Sequence, residues 1–79
     1  MNADTIRELI QSGLPGADVR VLGDDGAHFE AVVIAPQFTG RSLVQRHQQV
    51  YACLGERMRA EIHALQLRTL SPEEVHKPS

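Results

Sequence analysis

Histidine is the side chain of this sequence with the widest chemical range, because neutral imidazole binds metal ions and also titrates near pH 7. Of the four histidines, His28 follows an Asp-Gly turn at the start of a predicted strand, and His63 directly precedes another predicted strand. The ends of strands in one sheet can lie close together, so these two imidazoles could meet on one surface and bind a metal ion. The alternative is that they are two unrelated surface histidines.

The other histidines and the cysteine are weaker candidates. His47 lies on the apolar stripe of a predicted helix, where we expect a core histidine bonded to a backbone carbonyl, and His76 near the C-terminus is assigned no role. Cys53 is the single cysteine, which excludes an intramolecular disulfide and a cysteine-only metal site and favours a reducing compartment. We expect it to be an inert, buried or half-buried thiol.

Patterns typical of an enzyme are absent from the sequence. There is no Ser-His-acid spacing, no phosphate-binding P-loop and no HExxH zinc motif. A chain of 79 residues also leaves little volume for a deep pocket. The adjacent Glu73 and Glu74 are interpreted as helix-start charge rather than an acid/base pair. We therefore expect a binding module and not an enzyme.

The composition indicates one globular domain over residues 1–79, with 42% hydrophobic and 23% charged residues. The net charge of −2 disfavours tight nucleic-acid binding, which usually needs a basic face. Four arginines nevertheless make the middle of the chain locally positive: Arg41, Arg46, Arg57 and Arg59. Because no apolar stretch reaches about 18 residues, we expect no membrane span and a cytoplasmic location.

Hydrophobic periodicity predicts the elements of the first half of the chain. Apolar residues at helical spacing predict a helix over residues 3–13, capped by Asn2 or Asp4. Alternation predicts strands over residues 18–23 and 28–34, joined by an Asp-Gly hairpin turn. The second strand has aliphatic residues on both faces, so we expect it to be covered on much of both sides.

The second half begins with Ser42 and Gln45, a capping-box signature for a central helix. Six residues form the predicted inner stripe of this helix: Leu43, His47, Val50, Tyr51, Leu54 and Met58. Gly55 marks a bend or the end of the helix, and a second helical turn or its continuation follows. Residues 64–70 alternate as a third strand, and Ser-Pro-Glu-Glu at 71–74 begins a short helix.

The resulting order, α-β-β-α-(α)-β-(short α), predicts an α+β fold in which helices cover one face of a three-stranded sheet. Because a helix connects the last two strands, they could run parallel through a right-handed crossover. The strand ends that carry the two candidate imidazoles would then belong to one sheet.

Several motifs together resemble the BolA family. They are D-G-x-H-F at 25–29, F-x-G at 38–40, R-H at 46–47 followed by V-Y-x-x-L at 50–54, I-H-A-L at 62–65 and T-x-S-P-E-E at 69–74. These motifs stand in the family's order and at the family's spacing. The resemblance implies a BolA-like domain with a class II KH-like fold, which agrees with the order of elements predicted from periodicity.

The resemblance further implies a non-enzymatic partner of a monothiol glutaredoxin. The two proteins would share a [2Fe-2S] cluster, with ligands from a glutaredoxin cysteine, a bound glutathione and this chain. The family's histidine before the last strand corresponds to His63, and His28 is the nearest candidate for a second ligand. Imidazole ligands raise the reduction potential of such a cluster, which suits cluster transfer or iron sensing. We expect no cofactor, and a monomer or weak homodimer, when the chain is alone.

The alternative is a DNA- or RNA-binding transcriptional regulator that uses the KH-like fold, with Arg41 and Arg46 as contacts. Two G-x-x-G strings, at 13–16 and 23–26, match the loop with which KH domains clamp nucleotide backbone. One contains Leu-Pro and the other contains two carboxylates, which would repel phosphate. We interpret them as a helix end and a hairpin turn.

Overall fold

The computed structural model describes residues 2–23, 25, 27–58 and 64–76, with the backbone alone at 57 and 58. The helices are α1 (Ala3–Gly13), α2 (Leu43–Leu54) and α3 (Pro72–His76), and the strands are β1 (Asp18–Leu22), β2 (Phe29–Ile34) and β3 (Leu65–Leu70). Short 3-10 turns occupy Pro36–Phe38 and Gly55–Met58. The sheet order is β1-β2-β3, with β1 antiparallel and β3 parallel to β2. The predicted α+β architecture and the parallel pairing of the last two strands are therefore confirmed.

Helix α1 is fixed by its cap and by its contact with α2. The Asn2 side chain accepts a hydrogen bond from the Thr5 backbone N–H at 2.8 Å, so Asn2 rather than Asp4 is the cap. Ile6 and Ile10, one turn apart, are fully buried. At the other end, a Cβ on Gly13 would lie 2.4 Å from the sulfur of Cys53, so a glycine lets α1 approach α2 closely.

The sheet buries one face and leaves the other open. Alternate strand residues on the inner face join the helices in the core: Val19, Phe29, Ala31, Val33 and Leu65. On the outer face, Arg20, Val32 and Arg68 lie side by side in register across the three strands. The two arginines are exposed and Val32 is half-buried. The expectation that β2 is covered on much of both sides is therefore confirmed only in part, because its outer aliphatics Val32 and Ile34 are half-buried and Glu30 is exposed.

Helix α2 begins as predicted, and its predicted inner stripe is confirmed at Val50 and Leu54 but not at Leu43. Ser42 Oγ accepts from the Gln45 N–H at 3.2 Å, and the Gln45 side chain accepts from the Ser42 N–H at 3.0 Å, which completes the capping box. The buried residues are Arg46, Val50 and Leu54, whereas the side chain of Leu43 is 61% exposed. Two further members of the predicted stripe, His47 and Tyr51, are half-buried, and the Met58 side chain lies outside the described residues. The helix ends at Gly55, which has a φ of 60°.

Helix α3 begins with the predicted Ser-Pro-Glu-Glu signature. The Ser71 N–H donates to Glu74 Oε1 at 2.7 Å, and the Glu74 N–H donates to Ser71 Oγ at 3.4 Å. Thr39 Oγ1 donates to Glu73 Oε2 at 3.0 Å, which connects α3 to the loop before α2. Within the described part of the chain, no helix has the length and apolar character needed to cross a bilayer.

Candidate functional site

The parallel pairing of β2 and β3 places the starts of these strands side by side. Phe29 pairs with Leu65, so His28 and Ala64 lie at the same end of the sheet. A concave pocket of about 320 Å³ opens there. Eight residues line it: Leu22, Gly23, Asp25, His28, Phe29, Glu30, Ala64 and Gln66. The register of the sheet thus brings the predicted His28 into a pocket that the third strand also borders.

The Asp25 carboxylate organises the turn that carries His28. Its Oδ1 accepts hydrogen bonds from the backbone N–H groups of Ala27 and His28, both at 2.9 Å, and its Oδ2 lies 3.2 Å from His28 Nδ1. These contacts, with the backbone N–H of His28 the largest and that of Ala27 the next, lower the pKa of Asp25 from 3.8 to about 2. The group is therefore a carboxylate at neutral pH.

Gly23 allows the hairpin to close tightly beside the pocket. A Cβ at this position would lie 2.4 Å from a ring carbon of Phe29 and 2.8 Å from the carbonyl oxygen of His28. Any larger residue would push the end of β1 away from the start of β2. The G-x-x-G string at 23–26 thus begins with a glycine that packing requires, in agreement with its interpretation as part of a hairpin turn.

The His28 imidazole is open to another molecule, because 81% of its side-chain surface is exposed. His63 lies outside the described residues, so its assignment as a ligand stays a prediction. Ala64, which follows His63 in the sequence, is buried and lines the pocket. Over residues 2–23, 25, 27–58 and 64–76, no group of three or more His, Cys, Asp or Glu side chains could hold a metal ion.

His47 and Cys53 lie away from this pocket. The His47 ring packs edge-on against Tyr51, with 6.3 Å between ring centroids. Its buried Nε2 has no hydrogen-bond partner among the described residues, which differs from the expected bond to a backbone carbonyl. The Cys53 thiol donates to the carbonyl of Gln49 at 3.2 Å, and burial raises its pKa. Both effects keep the thiol protonated, as expected of an inert cysteine.

Arg46 has intramolecular partners in place of the predicted exposure to nucleic acid. The residue is 9% exposed. Its Nε donates to the Arg41 carbonyl at 3.0 Å, and its Nη1 donates to Glu74 Oε1 at 2.5 Å. The guanidinium carbon also lies 5.9 Å from the centroid of the Phe38 ring. These contacts disfavour Arg46 as a nucleic-acid contact.

Arg41 is exposed and borders a shallow groove along α2. The other lining residues are Gln45, Gln48, Gln49 and Ala52. The sequence reasoning singled out Arg41 but missed the glutamines and also missed Asp25. Asp25 had a detectable signal, since an aspartate in a turn commonly accepts from the backbone of that turn, and Asp25 stands three residues before His28.

The sequence profile of the family described as BolA-like protein matches residues 11–74. This chain belongs to the BolA family. Among solved structures, a bolA protein homologue from Coxiella burnetii is 41% identical, with a TM-score of 0.82 over 98% of this chain and 99% of that one. Proteins of this family are non-enzymatic regulators or adaptors, and so is this BolA-like protein.

Two further relatives show the settings in which the domain occurs. The BolA domain of SufE1 from Arabidopsis thaliana is 30% identical, with a TM-score of 0.70 over 91% of this chain and 93% of that one. A protein named DNA-binding transcriptional regulator BolA, from Haemophilus influenzae, is 42% identical over 48 residues, which are 61% of this chain and 47% of that protein. The domain is thus found both in SufE-like proteins and in proteins named as regulators.

Proposed function

We propose that this BolA-like protein is an adaptor that pairs with a monothiol glutaredoxin and shares a [2Fe-2S] cluster with it, in cluster trafficking or iron sensing. His28 and His63 are the proposed ligands from this chain. The observation that carries the proposal is the exposed His28 imidazole in a pocket that Ala64, the sequence neighbour of His63, also lines. The family resemblance supplies the class of partner.

The donor groups at the pocket suit a shared cluster. Imidazole is a known ligand of [2Fe-2S] iron in mixed Cys/His sites. When bound, the cluster would supply the iron and its redox chemistry, and this chain would supply imidazole ligands and the surface around them.

The rim of the pocket offers apolar surface to a partner. Leu22, which lines the pocket at the end of β1, is 68% exposed. An aliphatic side chain with polar groups around it matches the apolar centre and polar rim of a protein–protein contact. Glu30 and Gln66, on the neighbouring strands, would form the polar part of that contact.

Anaerobic reconstitution with a monothiol glutaredoxin, glutathione, iron and sulfide tests this function. We expect a coloured heterodimer, and we expect His28→Ala and His63→Ala each to change its visible absorption and circular dichroism. His76→Ala is the matched control, because His76 is an exposed histidine on α3 that does not line the pocket. Failure of the wild-type protein to form the complex would refute the proposal. An unchanged spectrum in a variant would remove that histidine from the site.

The second candidate function is DNA binding. The name of the Haemophilus relative and the groove beside Arg41 favour it, since arginine and glutamine side chains are common contacts to phosphates and bases. Binding that depends on phosphate contacts weakens steeply with salt. We expect Arg41→Gln to reduce such binding and Arg20→Gln, on the open sheet face, to leave it unchanged. The absence of binding at low salt would contradict this function.

A further inference from the structure

Asp25 makes three contacts with the turn and ring of one candidate ligand. One carboxylate oxygen accepts two backbone N–H groups at 2.9 Å, including that of His28, and the other faces His28 Nδ1 at 3.2 Å. The two backbone bonds fix the plane of the carboxylate. Its second oxygen is therefore already in place for the ring, and orienting it costs no further side-chain entropy.

This geometry has one consequence for the protons of the ring. A carboxylate can only accept hydrogen bonds, whereas neutral imidazole has one donor nitrogen and one acceptor nitrogen. The contact with Asp25 therefore requires the proton to be on Nδ1. The lone pair is then on Nε2, the nitrogen that Asp25 does not face. In metalloproteins, a carboxylate that accepts from the second nitrogen of a ligand histidine fixes its tautomer and orientation in this way.

We propose that Asp25 is a positioning residue that holds His28 in the Nδ1-protonated tautomer and so presents Nε2 as the metal-binding atom. The use of Nε2 for iron rests on the proposed function, but the tautomer does not. Glu30 also lines the pocket, but the described contacts place only Asp25 on the His28 ring.

Asp25→Asn separates the two parts of this role. The amide oxygen of asparagine can still accept from the backbone N–H groups of Ala27 and His28, so the turn is kept. The amide nitrogen then replaces the oxygen that faced the ring, and it donates where the carboxylate accepted. We expect the neutral His28 ring to change to the Nε2-protonated tautomer. The matched control is Asp18→Asn, which also removes one exposed carboxylate, here paired with Arg20 at 3.6 Å.

Nitrogen-15 NMR of the free protein at alkaline pH, where imidazole is neutral, measures the tautomer without any cluster. We expect the wild type and Asp18→Asn to have the proton on Nδ1 and Asp25→Asn to have it on Nε2. The backbone amide shifts of Ala27 and His28 report whether the turn is retained. A wild-type ring protonated mainly on Nε2, or an unchanged tautomer in Asp25→Asn, would overturn the proposal.

Titration with cluster-loaded glutaredoxin then tests the positioning. We expect Asp25→Asn to weaken association by about 10-fold, the lower end of the range for loss of such a supporting contact, and Asp18→Asn to leave it unchanged. A tautomer change with unaltered association would overturn the positioning role. If His28→Ala leaves the cluster spectrum unchanged, the assignment of His28 as a ligand fails and Nε2 is not the metal-binding atom. The NMR result would still decide the tautomer.

Discussion

Replacing Arg46 by methionine tests whether this arginine supports the fold or contacts nucleic acid. Methionine keeps an unbranched apolar stem and removes the guanidinium. The change breaks the hydrogen bonds to the Arg41 carbonyl at 3.0 Å and to Glu74 Oε1 at 2.5 Å. The third bond, to the Thr69 carbonyl, is 3.5 Å long and contributes little at that distance.

We expect Arg46→Met to lower the free energy of unfolding by about 2–3 kcal/mol, within the range for hydrogen bonds that involve a charged group. The larger cost of breaking a fully buried ion pair, about 3–5 kcal/mol, does not apply. The Glu74 side chain is 44% exposed, so water can replace its lost partner. The Arg41 carbonyl lies in the exposed segment before α2, and methionine retains much of the apolar packing.

Urea unfolding followed by far-ultraviolet circular dichroism measures this loss. The corresponding fall in Tm is roughly 8–24 °C, because each kcal/mol shifts Tm by about 4–8 °C in a domain of this size. Arg41→Met is the control, and as an exposed substitution it should change stability by less than about 0.5 kcal/mol. Equal stability of Arg46→Met and wild type would refute the structural role. Loss of DNA binding without loss of stability would restore Arg46 as a contact.

Three further variants or measurements test the packing and electrostatics. Gly13→Ala should lower the free energy of unfolding by about 1–3 kcal/mol through overpacking, because its Cβ would lie 2.4 Å from the Cys53 sulfur. The loss should be smaller in a Cys53→Ala background. An equal loss in both backgrounds, measured by urea unfolding, would contradict the clash. The pKa of Glu74 is lowered from 4.5 to about 2, mainly by the Ser71 backbone N–H and then by Arg46. The ionised group therefore stabilises the fold above about pH 4.5, and this stabilisation is lost as the pH falls towards 2. Glu74→Gln should make the free energy of unfolding depend less on pH between about 4.5 and 2. An unchanged pH dependence would argue against the contact. The Cys53 thiol, whose pKa burial raises, should react with a thiol reagent at neutral pH more slowly in the folded than in the urea-unfolded protein. Equal rates would show that the thiol is accessible.

The helix starts were predictable where the capping residues are close together in the sequence. The capping pairs Ser42–Gln45 and Ser71–Glu74 are each complete within four residues, so the chain specifies those helix starts without tertiary help. The inner stripe of α2 was predicted only in part, for the opposite reason. The buried position of Arg46 is stabilised by a carboxylate from α3, and this partner cannot be assigned from the periodicity of one helix.

The candidate site was predictable only in part. The predicted strand over 28–34 agrees with β2 to within one residue, which leaves His28 directly before Phe29, and the alternation of residues 64–70 gives the strand beside it. The proximity of His28 to the start of β3 depends on the parallel register, in which Phe29 pairs with Leu65. A sequence pattern does not specify register between distant strands. The role of Asp25 depends on the conformation of a single turn, which local sequence restricts without determining.

The stabilising contacts and the pocket lie at opposite ends of the sheet. Strand β2 runs from Phe29, beside the pocket, to Ile34, which pairs with Leu70 next to the start of α3. At about 3.3 Å per residue, this separates Arg46 and its partners from the His28 imidazole by more than the distance over which substitutions usually interact, about 7–10 Å. The hairpin end can therefore present an exposed ring and an apolar rim to a partner, because the interactions that anchor α3 to the sheet are made elsewhere.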